Sequence, residues 1–168
     1  VNGTLTATNV NGTDLSHVTL NSGGTANFTL SSGGTLNAGV AGFTKDSNGL
    51  LKIYGNTGNE TITIDSAKFT NAGDLISDSG GTTDTLVVTG NNAIDFTKIS
   101  GMEIVDLTNY TGSTLTTNNT TDEIIKINSV YTSINAGGGT TDQLYISANT
   151  VDLSASTLSG IESYYVAS

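Results

Sequence analysis

The chain has 168 residues, with five lysines, no arginine and 15 Asp plus Glu, for a formal charge of -10. Thr (30), Gly (21), Ser (18) and Asn (18) supply 87 residues; Cys, Pro and Trp are absent and there is a single His. These numbers exclude a disulfide framework, a Cys/His zinc site and the basic surface that nucleic-acid binding requires. They leave His17 as the sole imidazole for any Ser-His-Asp arrangement. No apolar run approaches the length of a membrane-spanning helix. Val1 is not an initiator methionine, so a processed product or a fragment is expected.

Low apolar content with high net charge is a signature of disorder. The pattern argues otherwise, because Val, Ile and Leu fall in short alternating runs, and Thr is β-branched and suits a pleated surface. Helix-forming residues are scarce. The sequence therefore predicts an all-β protein.

Residues 1–54 form a Gly/Thr-rich segment. Ser22-Gly23-Gly24-Thr25 recurs ten residues on as Ser32-Gly33-Gly34-Thr35, with short strands expected between the turns. From residue 55 a longer repeat runs at an offset of 58: Gly80 to Val88 matches Gly138 to Ile146. Downstream, Ile99-Ser100-Gly101-Met102-Glu103 matches Leu158-Ser159-Gly160-Ile161-Glu162. Residues 55–116 and 117–168 thus read as two copies of a unit of about 60 residues within one continuous domain. Strands are expected near 60–65, 85–89, 92–96 and 103–107, and near 123–128, 143–147, 150–153 and 162–166. Single helical turns suit 66–74 and 95–101. The continuous runs Leu86-Val87-Val88 and Ile124-Ile125 suggest burial on both faces. A β-solenoid, or parallel β-helix, stacks such residues in inward ladders and places Thr and Asn outside. Tandem small β-sandwich modules are the alternative.

Four turns carry an acid ahead of an aliphatic strand: Gly55 to Thr63, Gly80 to Val88, Gly138 to Ile146 and, more loosely, Asn118 to Lys126. Glycine lets a turn point carbonyls inward, and a carboxylate adds charge, which together suit the oxygen-rich coordination of calcium. Asp84 and Asp142 are the leading candidate ligands, followed by Glu60 and Asp122. The competing reading is a tight turn closed by an Asx hydrogen bond.

These turns, with Ile99 to Thr108 and Leu158 to Glu162, resemble the repeats of RTX-type, type I-secreted bacterial surface proteins, including surface-layer proteins and large adhesins. The resemblance covers about residues 55–168. It implies an extracellular location at the bacterial cell surface and calcium as a cofactor. The turns here are 20 to 38 residues apart rather than in tandem, so the family's calcium arrangement does not carry over unchanged.

Asp95, Asp106 and Asp152 sit at strand edges, where paired carboxylates serve polysaccharide-active β-helix enzymes. Without arginine and with one histidine, a catalytic set is not expected. Met102 is expected in the core, His17 at the surface, and Tyr164-Tyr165 at a cap or interface. Sequons at Asn2, Asn11, Asn27, Asn59, Asn109, Asn118 and Asn119 match a pattern common by chance in such a composition. The functional expectation is a structural cell-surface segment that self-assembles into a lattice or filament. Cell-surface polysaccharide is a second potential partner, and neither nucleic acid nor membrane insertion is expected. A ligand-binding adhesin module is the alternative.

Overall fold

The computed structural model of the chain describes residues 1–117, 121–148 and 150–167. The sequons at Asn118 and Asn119 lie outside the described residues. In chain order the strands are β1 Thr4–Val10, β2 Thr19–Leu20, β3 Thr25–Leu30, β4 Thr35–Asn37, β5 Thr44–Lys45 and β6 Leu50–Tyr54. Then come β7 Thr61–Asp65, β8 Leu75–Ser77, β9 Thr85–Gly90, β10 Ile99–Ser100, β11 Ile104–Tyr110 and β12 Thr114–Thr116. The last are β13 Ile124–Ile127, β14 Ser133–Asn135, β15 Gln143–Ile146, β16 Thr157–Ser159 and β17 Ser163–Val166. The named strand pairs are all parallel, and the chain winds as a β-solenoid of about 8 turns.

One wall runs β4-β7-β9-β11-β13-β15-β17 through most of the stack. A second wall, β1-β3-β6-β8-β10, serves the first half, and β12-β14-β16 serves the second half. Pairing passes without interruption from β6 to β8 and from β11 to β13, across residues 54/55 and 116/117. The strands β9, β11, β13 and β15 start at residues 85, 104, 124 and 143, so one turn takes 19 or 20 residues there. The 58-residue offset is therefore three turns of the coil, from β9 to β15.

Register explains why a sparse set of apolar residues suffices. On the long wall Leu36, Ile62, Leu86, Val105, Ile125, Leu144 and Tyr164 occupy one inward column. All but the last are buried. Alternate residues point out, as strand geometry requires. The runs Leu86-Val87-Val88 and Ile124-Ile125 follow the same rule, contrary to the two-sided burial expected from sequence: Val87 and Ile124 are only half-buried outward positions. Met102 and Tyr131 lie in the core, and Tyr131 donates from its hydroxyl to the carbonyls of Leu107 and Tyr110.

The Ser-Gly-Gly-Thr repeat has a specific steric cause. Gly23 and Gly33 adopt left-handed φ of 76° and 68°, which a side chain would strain. The following glycines lie against the backbone of the preceding turn: a Cβ on Gly34 would stand 2.6 Å from the Val10 carbonyl oxygen.

Segments 92–96 and 150–153, expected as strands, are not strands. The Asn92 amide donates to Ser66 Oγ, and Asp152 accepts from the Ser154 amide, so these groups turn to side chains instead of a ladder. The expected helical turns are short 3-10 turns, Ser66–Lys68 and Phe96–Lys98. Asp65 and Asp95 cap them by accepting from the amide two residues on, 3.0 Å in each case. Among the described residues no helix is long and apolar enough to cross a membrane.

Candidate functional site

The residue immediately before each strand of the long wall, from β7 onward, is acidic: Glu60, Asp84, Glu103, Glu123, Asp142 and Glu162. Stacking places these acids in one corner column. The side chains of Glu60, Asp84, Glu103, Asp142 and Glu162 reach back to the preceding turn. Glu60 Oε1 accepts from Gly33 N at 2.6 Å, Asp84 Oδ1 from Glu60 N at 2.6 Å and Glu103 Oε2 from Asp84 N at 2.9 Å. Farther along, Asp142 Oδ1 accepts from Glu123 N and Glu162 Oε2 from Asp142 N, both at 2.7 Å. The carbonyls of Glu60, Asp84, Glu123 and Asp142 accept from amides of the next turn. Consecutive turns are thus joined at this corner through backbone and carboxylate together.

The column carries a cost. Neighbouring turns of a sheet are about 4.8 Å apart, so like charges recur at that spacing. Amide donors favour the charged form, while burial and neighbouring acids oppose it. Burial, followed by the charges of Asp78, Glu103 and Glu60, pushes Asp84 up to about 7. Burial, followed by the charges of Glu162 and Asp122, also raises Asp142.

Asp78, from outside the column, joins Glu60 and Asp84 in one cluster. These three buried residues each offer a carboxylate oxygen within 4.8 Å of the others. Asp78 follows β8, and its Oδ1 accepts from Gly80 N at 2.9 Å. Burial raises it, and the Glu60 carboxylate adds to the rise. Glu60 Oε2 and Asp78 Oδ2 are buried without a hydrogen-bond partner. Two glycines make room for the acids: a Cβ on Gly55 would lie 1.4 Å from Asp78 Oδ2, and one on Gly81 2.2 Å from Asp84 Oδ2.

Of the four residues selected from sequence, Glu60 and Asp84 meet in this cluster. Asp142 holds the same column three turns on. Asp122 sits on an exposed outer turn, where it accepts from the amides of Thr140 at 2.7 Å and Thr141 at 3.0 Å. The Thr141 hydroxyl, followed by those two amides, lowers its carboxyl. Asp122 and Glu123 also border a surface groove of about 270 Å³, with Thr82, Thr83 and Glu103.

Sequence reasoning missed Asp78, which lies outside the Gly80 to Val88 pattern. It also missed Glu103, Glu123 and Glu162 as column members, although the paired Ser-Gly-x-Glu segments signalled two of them. Asp95, Asp106 and Asp152 each accept from the backbone amide two residues ahead. His17 is exposed, beside Ser16 Oγ at 2.9 Å.

The fold and the site define a parallel β-solenoid with a carboxylate column at one corner, in which Glu60, Asp84, Glu123 and Asp142 are buried. No family model, curated protein or solved structure matches the chain.

Proposed function

We propose that the chain is a structural segment of a bacterial cell-surface protein and that it self-associates by stacking solenoid turns. The observation that carries this reading is the regular stack of parallel turns, whose long wall pairs strand to strand from β4 to β17 around one inward apolar column. A solenoid of like turns extends by adding further turns of the same kind. The acidic composition without cysteine suits an extracellular protein stabilised by ladders rather than disulfides.

Size-exclusion chromatography over a concentration series, followed by negative-stain imaging, tests the reading. Growing oligomers or fibres are expected. A monomer at every concentration would overturn it.

A second reading, a sugar-binding adhesin module, is favoured by the outer face of the same wall. Tyr145 and Tyr165 stack there with centroids 4.6 Å apart, and Tyr165 is 45% exposed. Such a platform suits the apolar face of a saccharide ring. Affinity electrophoresis in neutral polysaccharide should show retardation that Tyr165→Ala removes, and unretarded migration would sink this reading.

A further inference from the structure

We infer that Glu60, Asp78 and Asp84 hold one hard divalent cation of calcium size between the turns that begin β7 and β9. The inference is independent of the stacking proposed above. Three acids alone would not carry it. The second observation is that Glu60 Oε2 and Asp78 Oδ2, on side chains at least nine-tenths buried, have no hydrogen-bond partner.

A buried carboxylate oxygen without a partner is expensive, and two within one cluster are more so. The ion pairs of the described residues join Lys45 to Asp74, Lys68 to Asp65 and Lys98 to Asp95, so no lysine neutralises the cluster. A cation bound to Glu60 Oε2, Asp78 Oδ2 and Asp84 would satisfy the orphan oxygens and remove the mutual repulsion. Oxygen-only ligands select a hard ion, and calcium tolerates irregular ligand sets. At calcium–oxygen distances of roughly 2.3–2.6 Å, oxygens on one ion stand up to about 5 Å apart, so three oxygens all within 4.8 Å of one another can share one calcium. Magnesium demands a near-ideal octahedron and gives up its waters reluctantly, which suits a buried all-protein carboxylate set less well.

The repeat supplies an internal control. At the 58-residue offset Asp84 corresponds to Asp142, whereas Asp78 corresponds to Ala136, which is fully buried. The second copy keeps the column acid, whose Oδ2 is likewise buried without a hydrogen-bond partner, but lacks the acid that completes a three-carboxylate cluster. Among the described residues the three-carboxylate site occurs once, and it depends on Asp78.

Equilibrium dialysis against about 1 mM calcium, with elemental analysis of the retained metal, tests this directly. Association of the chains does not alter the stoichiometry per chain, so the result is separable from the stacking proposal. One calcium per chain is expected, undisplaced by equimolar magnesium. Asp78→Asn should lower calcium affinity at least tenfold, and Asp142→Asn should leave the stoichiometry at one. Circular dichroism confirms the fold of each variant; if Asp78→Asn fails to fold, Glu60→Gln replaces it. No retained calcium in the unmodified chain would overturn the inference, because the cluster would then be holding protons instead. Unchanged affinity in the folded cluster variant would overturn it equally.

Discussion

Lys45 and Asp74 form an ion pair so enclosed that its removal is measurable in stability alone. Lys45 Nζ lies 2.9 Å from Asp74 Oδ2, with side-chain exposures of 2% and 0%. The ammonium also donates to the Gly49 carbonyl at 2.9 Å. Asp74 accepts from Leu51 N and Asn71 N, both at 2.8 Å. The pair therefore ties β5 to the start of β6 and to the loop before β8. Lys45→Met is close in length and removes the cation, leaving a buried carboxylate supported by two amides. Breaking one partner of a buried pair costs about 3–5 kcal/mol, against about 0–1 kcal/mol for an exposed one. For a chain of this length that corresponds to a fall of roughly 6–20 °C in Tm. Lys45→Met with Asp74→Leu would not restore full stability, because the amides of Leu51 and Asn71 would lose their acceptor at about 1–3 kcal/mol each. Thermal melts by far-UV circular dichroism at neutral pH, at low and high salt, provide the assay. A loss below about 1 kcal/mol in Lys45→Met, or a loss that salt abolishes, would show the pair to be hydrated and would refute the reasoning.

Further outcomes follow from the corner column and the core. Asp84 has a raised folded-state value, about 7, so its contribution to stability is fully present below its ordinary value near 3.8 and is lost as pH rises through about 7. In EDTA, Tm should therefore fall between pH 5 and pH 8, and a flat or rising profile would contradict the burial argument. Calcium titrated at pH 8 should recover the lost stability if the inferred site is correct. Gly58→Ala would place a Cβ 2.2 Å from Gly33 N, backbone against backbone, and should cost at least about 1–3 kcal/mol in a urea melt. Gly3→Ala, whose Cβ would meet nothing within 4 Å, is the neutral comparison. Leu86→Ala opens a cavity in the middle of the inward column and should cost about 2–5 kcal/mol by the same assay. A loss under about 1 kcal/mol would mean that the neighbouring turns collapse onto the gap.

The sequence by itself determined the β character, the glycine turns and the stacking of like residues. These are local or periodic properties: Thr and Gly preferences act within a few residues, and the 58-residue match compares the chain with itself. It also singled out Glu60, Asp84 and Asp142, because each precedes an aliphatic strand. Only the tertiary structure decided how long one turn of the coil is. The visible repeat spans three turns, since successive turns differ in sequence while their strands pair in register. Structure likewise placed Leu86-Val87-Val88 with one outward member, because alternation in a strand overrides a run of apolar letters. Asp78 joins Glu60 from 18 positions away because β8 ends where the next turn of the long wall begins. Asp122 matches the same sequence pattern and is turned outward by the Thr140 and Thr141 amides. Which acids share one buried corner is a question of register between turns, and register is fixed by packing of the whole column rather than by any one segment.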